Sequence, residues 1–189
     1  GAELGGTGLR WLPVTHTGNA TDAPEEADAV AALVGALVDA GATWVDRDGV
    51  VHAVTVGDVI VVAPYNAHVA EIRRAFERAG LGEPFVGTVD KFQGQERPIS
   101  VYAMATSAPE DAPRGMEFLY SLNRLNVATS RARCVAAVVA SPALVRVGCR
   151  TPRQMRLANG LCLAVEAGAA PAAPAWSGTL FPELDAASP

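Results

Sequence analysis

Val59-Ile60-Val61-Val62-Ala63-Pro64 is a continuous apolar run that ends at a proline. A run of this kind is typical of a strand buried on both faces of a parallel sheet, and we expect the strand to span 56–63. After it, Val69, Ile72 and Phe76 recur at helical spacing. The pattern therefore predicts a strand followed by a helix that packs on the sheet.

The sequence before this run predicts a strand, a helix and a hairpin. We expect the strand over 9–14, and then a helix with Asp22 as N-cap and Glu25 completing a capping box. One apolar stripe at helical spacing marks the buried face of that helix: Val30, Leu33, Val34, Leu37 and Val38. Asp48-Gly49 predicts the turn of a hairpin within 43–54.

The sequence after the run continues to alternate between strands and helices. The expected elements are strands over 85–89, 99–105 and 135–140 and helices over 122–133, 141–147 and 151–165. This alternation predicts an α/β fold with a parallel sheet flanked by helices. We expect one domain over 1–166, followed by a tail rich in alanine and proline over 167–189.

The composition is that of a globular protein, since half of the 189 residues are hydrophobic and 19% are charged. No apolar run reaches the roughly 18 residues that suggest a membrane span, and residues 1–10 do not resemble a signal peptide. The cysteines are widely spaced and form no CxxC pair, so we expect reduced, mostly buried thiols in a cytoplasmic protein and no metal site.

The charge of the chain is unevenly distributed. The net charge is −5, which argues against a protein that coats nucleic acid non-specifically. The stretch 114–156 nevertheless holds eight arginines and a single acidic residue, Glu117. Arginine binds phosphate in a planar, bidentate manner, so this region could contact an anionic ligand. A genomic bias toward arginine explains the same excess, and both interpretations stay open.

Two polar segments are candidates for chemistry. In Thr88-Val89-Asp90-Lys91-Phe92-Gln93-Gly94-Gln95-Glu96, the glycine lets the backbone approach a ligand, and Glu96 can accept hydrogen bonds from a ribose. In the predicted helix 122–133, Arg124 and Arg131 share one face and could contact two points of an anion. An ordinary polar loop and a solvated basic face are the simpler interpretations of these residues alone. We expect both segments at strand ends, where parallel sheets bind ligands on the carboxyl side.

No Walker A sequence is present, because Gly5-Gly6-Thr7-Gly8 lacks the lysine of GxxxxGK[ST]. The chain is therefore not expected to hold and hydrolyse a nucleotide on its own.

Three segments, taken in order, resemble motifs IV, V and VI of the Upf1-like and Dna2-like superfamily 1 helicases. They are Val61–His68, Thr88–Glu96 and Arg124–Arg133, and the likeness extends over about 9–143. The resemblance implies the second RecA-like domain of an ATP-dependent helicase, a P-loop NTPase-like fold without Walker A. It also implies that the first RecA-like domain, which would hold most of the ATP and Mg²⁺, is a partner.

The resemblance implies roles for individual residues near ATP. Arg131 matches the arginine finger, which would stabilise charge at the γ-phosphate and so act in catalysis. Gly94 and Glu96 match positions that approach the phosphates and the ribose of ATP. Arg124 would lie on the phosphate side or support the helix. Asn123 stands where the family often has a further arginine, so a second cation there is missing.

On the nucleic-acid side, Pro64, Tyr65 and Thr88 match positions near the backbone of a single strand, with DNA favoured over RNA. Such contacts are mostly to phosphate and sugar and do not depend on sequence. The segment 180–184 is similar to the end of bacterial members that carry a RecB-like nuclease. A piece of a larger helicase, inactive in isolation, is the favoured hypothesis. A non-enzymatic RecA-like interaction domain is the alternative.

Overall fold

The computed structural model describes residues 6–92 and 94–169. The strands are β1 (Gly8–Pro13), β2 (Thr43–Val45), β3 (Val51–Ala53), β4 (Val59–Ala63), β5 (Phe85–Thr88), β6 (Arg97–Ala103) and β7 (Ala132–Ala140). The helices are α1 (Pro24–Asp39), α2 (Asn66–Arg78), α3 (Gly115–Leu119), α4 (Leu122–Thr129) and α5 (Pro152–Gly168). In the described part of the chain, no helix combines the length and apolarity needed to cross a membrane.

Five of these strands form one sheet in the order β1-β7-β6-β4-β5. Every neighbouring pair in the sheet is parallel. The strands β2 and β3 form a separate antiparallel hairpin with Gly49 in the left-handed conformation at its turn, as the sequence predicts. The arrangement confirms the predicted RecA-like α/β fold, a parallel sheet flanked by helices.

The side chains of β4 alternate between the two faces of the sheet, and both faces are buried, which explains why the run at 59–63 is apolar throughout. Val59, Val61 and Ala63 belong to the core under α1 and α2. Ile60 and Val62 belong to the core under α3, α4 and α5 on the opposite face. Both faces of the strand are therefore removed from water, and a polar residue at any of these positions would lose its hydration without a partner.

The predicted capping box at the start of α1 is wrong. The N-cap is Ala23, and its side chain makes no capping hydrogen bond. Its backbone N–H donates instead to Nδ1 of His68 on α2 at 3.3 Å. The Glu25 carboxylate accepts from the amide of Asn19 at 2.8 Å, away from the position that a box with Asp22 requires. A tertiary contact with α2 therefore takes the place of the local cap.

The predicted helix before β7 is wrong at its carboxyl end. The helix α4 ends at Thr129, and β7 already begins at Ala132. The backbone N–H of Arg97 donates to the carbonyl of Arg131 at 3.0 Å, so pairing with β6 starts where the helix was expected to continue. Arg131 therefore lies in a turn, and it shares no helix face with Arg124.

Other boundaries differ by a few residues. The strand β4 begins at Val59, because Val56–Asp58 form a 3₁₀ turn that is closed by hydrogen bonds between Thr55 and Asp58. The helix α3 was not predicted at all. The last helix continues to Gly168, where the chain packs closely against β1. The predicted tail from residue 170 onward, including 180–184, lies outside the described residues.

Candidate functional site

The two candidate segments meet at the amino edge of the sheet. Glu96 immediately precedes β6, and Arg131 immediately precedes β7. The backbones of the two segments are joined by the hydrogen bond between Arg97 and Arg131. Nε of Arg133 lies 3.7 Å from Oε2 of Glu96, which forms a second, exposed link. The fold thus places residues from two distant parts of the sequence side by side.

This edge is opposite to the one where ligands were expected. Thr88 ends β5 at the carboxyl edge, and the 3₁₀ turn Val89–Phe92 then leads the chain back across the sheet. Val89 and Phe92 are buried in the core under α4, which fixes the path of this crossing. Glu96 consequently lies at the amino edge, because burial of these two apolar side chains holds the segment against the sheet.

The guanidinium of Arg131 is positioned by its own turn. Its Nε donates to the carbonyl of Val127 at 3.2 Å, and one Nη donates to Oγ of Ser130 at 3.3 Å. Arg131 is half-buried and makes no ion pair with any described carboxylate. Since arginine has five N–H donors, the remaining donors are available to an anion that approaches this edge.

Gly94 provides the sharp turn before Glu96. Its φ is +76°, a left-handed conformation that strongly favours glycine, and among the described atoms beyond its chain neighbours none lies within 4 Å of the position a Cβ would take. Gly94 is exposed together with Glu96. The neighbouring Gln93 lies outside the described residues. The backbone at Gly94 is therefore open to close approach by a ligand.

Ser100 was not predicted as a functional residue, yet it holds the end of α4. Ser100 is buried on β6, and its hydroxyl donates to the carbonyl of Ala128 at 2.6 Å. Carbonyls in the last turn of a helix lack intrahelical partners, so this bond satisfies one of them. It fixes the helix end that leads directly to Arg131.

Arg124 lies near the opposite end of α4. Arg124 is in the first turn of α4, whereas Arg131 lies beyond the carboxyl end of the helix at Thr129. Cζ of Arg124 lies 4.1 Å from the ring centroid of Phe118, and Cζ of Arg114 lies 3.8 Å from the same centroid. The structure therefore does not bring Arg124 to Glu96 and Arg131.

The residues predicted to contact nucleic acid lie at the carboxyl edge but differ in exposure. Pro64 and Tyr65 are buried behind the end of β4, whereas Thr88 is half-buried at the end of β5. Burial raises the pKa of Tyr65, and the positive charges of Arg114 and Arg124 act in the opposite direction. Of the three predicted residues, only Thr88 offers part of its surface to a strand.

The sequence matches the family profile described as an AAA domain over residues 14–143. The chain belongs to the AAA domain family. The matched region contains both edges of the sheet and every predicted site residue. It begins just after β1 and ends in the 3₁₀ turn after β7, so it includes four of the five strands of the parallel sheet.

Curated relatives of this AAA domain include several helicases. It is 35% identical to the probable RNA helicase armi of Drosophila melanogaster over 98 residues, which are 50% of the chain and 8% of the relative. It is 40% identical to the DNA polymerase alpha-associated DNA helicase A of Schizosaccharomyces pombe over 74 residues. These residues are 39% of the chain and 11% of the relative. The matched part spans about a tenth of these relatives. Together they confirm the prediction of a superfamily 1 helicase domain.

The AAA domain also contains a buried polar network that was not predicted from the sequence. The Glu26 carboxylate lies between His16, whose Nε2 is 2.9 Å from Oε1, and His68, whose Nε2 is 3.5 Å from Oε2. The backbone N–H of Ala105 donates to Oε2 at 2.8 Å, and Nδ1 of His16 lies 2.7 Å from Oγ of Ser107. The network ties α1, α2 and the segments that follow β1 and β6 together.

The hydrogen bonds decide the charge state of Glu26. Burial alone would raise the pKa of this carboxyl, but hydrogen bonds from His16 and Ala105 and the nearby ring of His68 outweigh burial and hold the pKa below its ordinary value. A signal for the network was present, because Glu26 lies four residues before Val30 and therefore on the apolar stripe of α1. A carboxylate on a buried face requires partners.

Proposed function

We propose that this chain is the second RecA-like domain of an ATP-dependent nucleic-acid helicase, with single-stranded DNA the favoured substrate. The observation that carries the proposal is that the two motif segments meet at the amino edge of the sheet. The Arg131 guanidinium at this edge makes no ion pair with a described carboxylate. The helicases among its relatives support the same function.

In this proposal Arg131 is the arginine finger. ATP would lie between this edge and the first RecA-like domain, with its γ-phosphate within reach of the Arg131 guanidinium. During phosphoryl transfer negative charge develops on the phosphate oxygens, and a guanidinium held ready stabilises that charge. The bonds to Val127 and Ser130 hold the side chain in place, so little ordering is needed when ATP arrives.

Gly94 and Glu96 contact the rest of the nucleotide. The backbone at Gly94 can approach the phosphates, since no described atom beyond its chain neighbours lies within 4 Å of its Cβ position. The ion pair between Glu96 and Arg133 is long and exposed, so it holds the carboxylate only weakly. Glu96 can therefore turn to accept hydrogen bonds from the ribose hydroxyls of ATP.

The first RecA-like domain supplies the remaining parts of the ATP site. The Walker A lysine is missing from this sequence. Within residues 6–92 and 94–169, no three His, Cys, Asp or Glu side chains are grouped to hold a metal ion. We therefore assign Mg²⁺ to the first domain, and we expect the isolated chain to be inactive. Thr88 contacts the strand from the carboxyl edge, and the buried Pro64 and Tyr65 shape that surface.

The test is ATP hydrolysis by the full-length protein, with and without single-stranded DNA or RNA. We expect hydrolysis that rises severalfold when either strand is added, with DNA giving the larger rise. A non-enzymatic interaction domain predicts no hydrolysis that responds to single strands. A larger response to RNA would contradict the favoured substrate and leave the helicase proposal in place.

A further inference from the structure

Phe118 is the centre of a cationic and aromatic cluster that the predicted sites do not include. The guanidiniums of Arg114 and Arg124 lie over its ring, at 3.8 Å and 4.1 Å from Cζ to the ring centroid. The ring of Tyr65 packs against it with the centroids 5.4 Å apart. We name these four residues the Phe118 cluster. It joins the N-terminal ends of α3 and α4 to the end of β4.

The charge of the two arginines is not neutralised within the part of the chain that the structure describes. Neither guanidinium makes an ion pair or a side-chain hydrogen bond with a described residue. Arg153, on neighbouring α5, differs in this respect, since its Nε lies 2.8 Å from Oε1 of Glu117. Two cations stacked on one ring therefore keep their hydrogen-bond donors free for an anion.

The Phe118 cluster lies on the nucleic-acid side of the domain. Tyr65 follows β4 at the carboxyl edge, and Thr88 ends the adjacent β5 at the same edge. Arg131 is at the opposite end of α4, so the cluster is separate from the proposed ATP contacts. Arg114 is exposed, and the cluster reaches the carboxyl edge through Tyr65, which follows the strand that pairs with the end of β5 at Thr88.

We propose that the Phe118 cluster binds one or two nucleotides of single-stranded nucleic acid, an inference that rests on the proposed function. Phe118 and Tyr65 keep the two guanidiniums ordered, which lowers the entropy that binding must remove. Guanidiniums bind phosphate oxygens in a bidentate manner, and their planes stack on unpaired bases. Stacking requires bases that are not paired, so the cluster favours single strands over duplexes.

The test measures binding of a labelled single-stranded oligonucleotide of mixed sequence to the nucleotide-free full-length protein, at several salt concentrations. We expect Arg114→Ala and Arg124→Ala each to weaken binding roughly tenfold. Each should also lower the slope of log affinity against log salt by about 0.7, the loss of one phosphate contact on a single strand. Arg153→Ala is the matched control, because this nearby arginine is already paired with Glu117, and it should bind as the wild type does.

Three outcomes would overturn the inference. If both variants keep the affinity and salt slope of the wild type, the cluster does not contact the bound strand, while the proposed helicase function would stand. An Arg124→Ala variant that keeps its strand affinity but loses affinity for ATP would place Arg124 in the nucleotide site. Failure of the wild-type protein to bind single strands would defeat the proposed function together with the inference.

Discussion

Arg97 and Arg131 are joined by a backbone hydrogen bond of 3.0 Å between the N–H of the first and the carbonyl of the second. The bond connects the segment before β6 with the turn before β7. It involves the residues proposed to contact ATP directly, since Glu96 precedes Arg97 in the chain and Arg131 itself provides the carbonyl. The position of the proposed arginine finger therefore depends on how the end of α4 is held against β6.

Ser100 is the side chain that holds this helix end, so Ser100→Ala should misplace Arg131. The substitution leaves the Ala128 carbonyl without its buried donor and should destabilise the domain by about 1–3 kcal/mol. A misplaced finger should also lower the turnover of the full-length protein by roughly tenfold to a hundredfold with ATP affinity kept. Urea unfolding and steady-state hydrolysis measure the two effects.

The matched control for this prediction is Ser121→Ala at the other end of α4. The Ser121 hydroxyl accepts from the backbone N–H of Arg124, so its loss should cost about 0.5–2 kcal/mol of stability. Turnover at saturating ATP and single strand should remain that of the wild type. Equal losses of turnover in the two variants would mean that Ser100 acts only through stability.

Gly94→Ala tests the close approach of ATP to the turn before Glu96. A left-handed φ of +76° costs an alanine about 1–2 kcal/mol, and the added methyl group faces the proposed phosphate site. We expect weaker ATP binding by the full-length protein, measured by titration with a fluorescent ATP analogue. Gly49→Ala carries the same strain at φ +81° in the distant hairpin and should leave ATP affinity unchanged.

Glu26 should make the stability of the domain depend on pH. Its folded pKa is lowered, so the ionised carboxylate stabilises the fold above the ordinary value of 4.5, and this contribution is lost as the pH falls further. At pH 7 we expect Glu26→Gln to be less stable than the wild type by about 1–3 kcal/mol. This difference in the free energy of unfolding should become smaller below pH 4.5. Denaturant unfolding at several pH values across this range measures the free energy of unfolding of both proteins. Parallel pH curves for wild type and variant would show that the carboxylate is not the group responsible.

Glu25→Gln is the control for Glu26, because the neighbouring carboxylate is exposed and bonds only to Asn19 among the described residues. It should change the free energy of unfolding little at any of these pH values. If Glu25→Gln changes the pH dependence of stability as much as Glu26→Gln does, general surface charge rather than the buried carboxylate would explain the effect.

Gly168→Ala should show that α5 packs tightly on β1. A Cβ there would lie 2.6 Å from the backbone nitrogen of Trp11, and backbone cannot move aside cheaply. We expect a loss of about 1–3 kcal/mol in the free energy of unfolding. The added methyl group of Gly148→Ala would meet no described atom beyond its chain neighbours within 4 Å, so this variant should be close to neutral. Equal stability of the two variants would rule out this close contact.

Local pattern was enough for the sheet and most helices. The run at Val59–Ala63 and the stripe on α1 reflect burial, which the sequence records as an unbroken apolar run for the strand and as a 3.6-residue period for the helix. The end of α4 could not be read in this way. Its residues suit a helix as far as Arg133, and only pairing with Arg97, distant in sequence, ends the helix at Thr129.

The candidate site was predictable as residue types but not as geometry. Resemblance to known motifs singled out Arg131 and Glu96, and the fold brings them together. Arg124 was expected on the same helix face as Arg131, yet its guanidinium stacks on Phe118, and α4 ends before Arg131 is reached. Contacts of this kind, like that between Ser100 and Ala128, depend on tertiary packing that no local spacing encodes.

The most direct test of the account compares Arg131→Ala with Arg133→Ala in the full-length protein. The two arginines are two residues apart, but Arg133 lies on β7, is exposed and pairs only with Glu96 among the described residues. We predict that Arg131→Ala lowers nucleic-acid-stimulated ATP turnover by about 10³-fold while ATP affinity is nearly kept, and that Arg133→Ala has little effect on turnover. Turnover in Arg131→Ala equal to that of the wild type would contradict the proposal that this residue is the arginine finger.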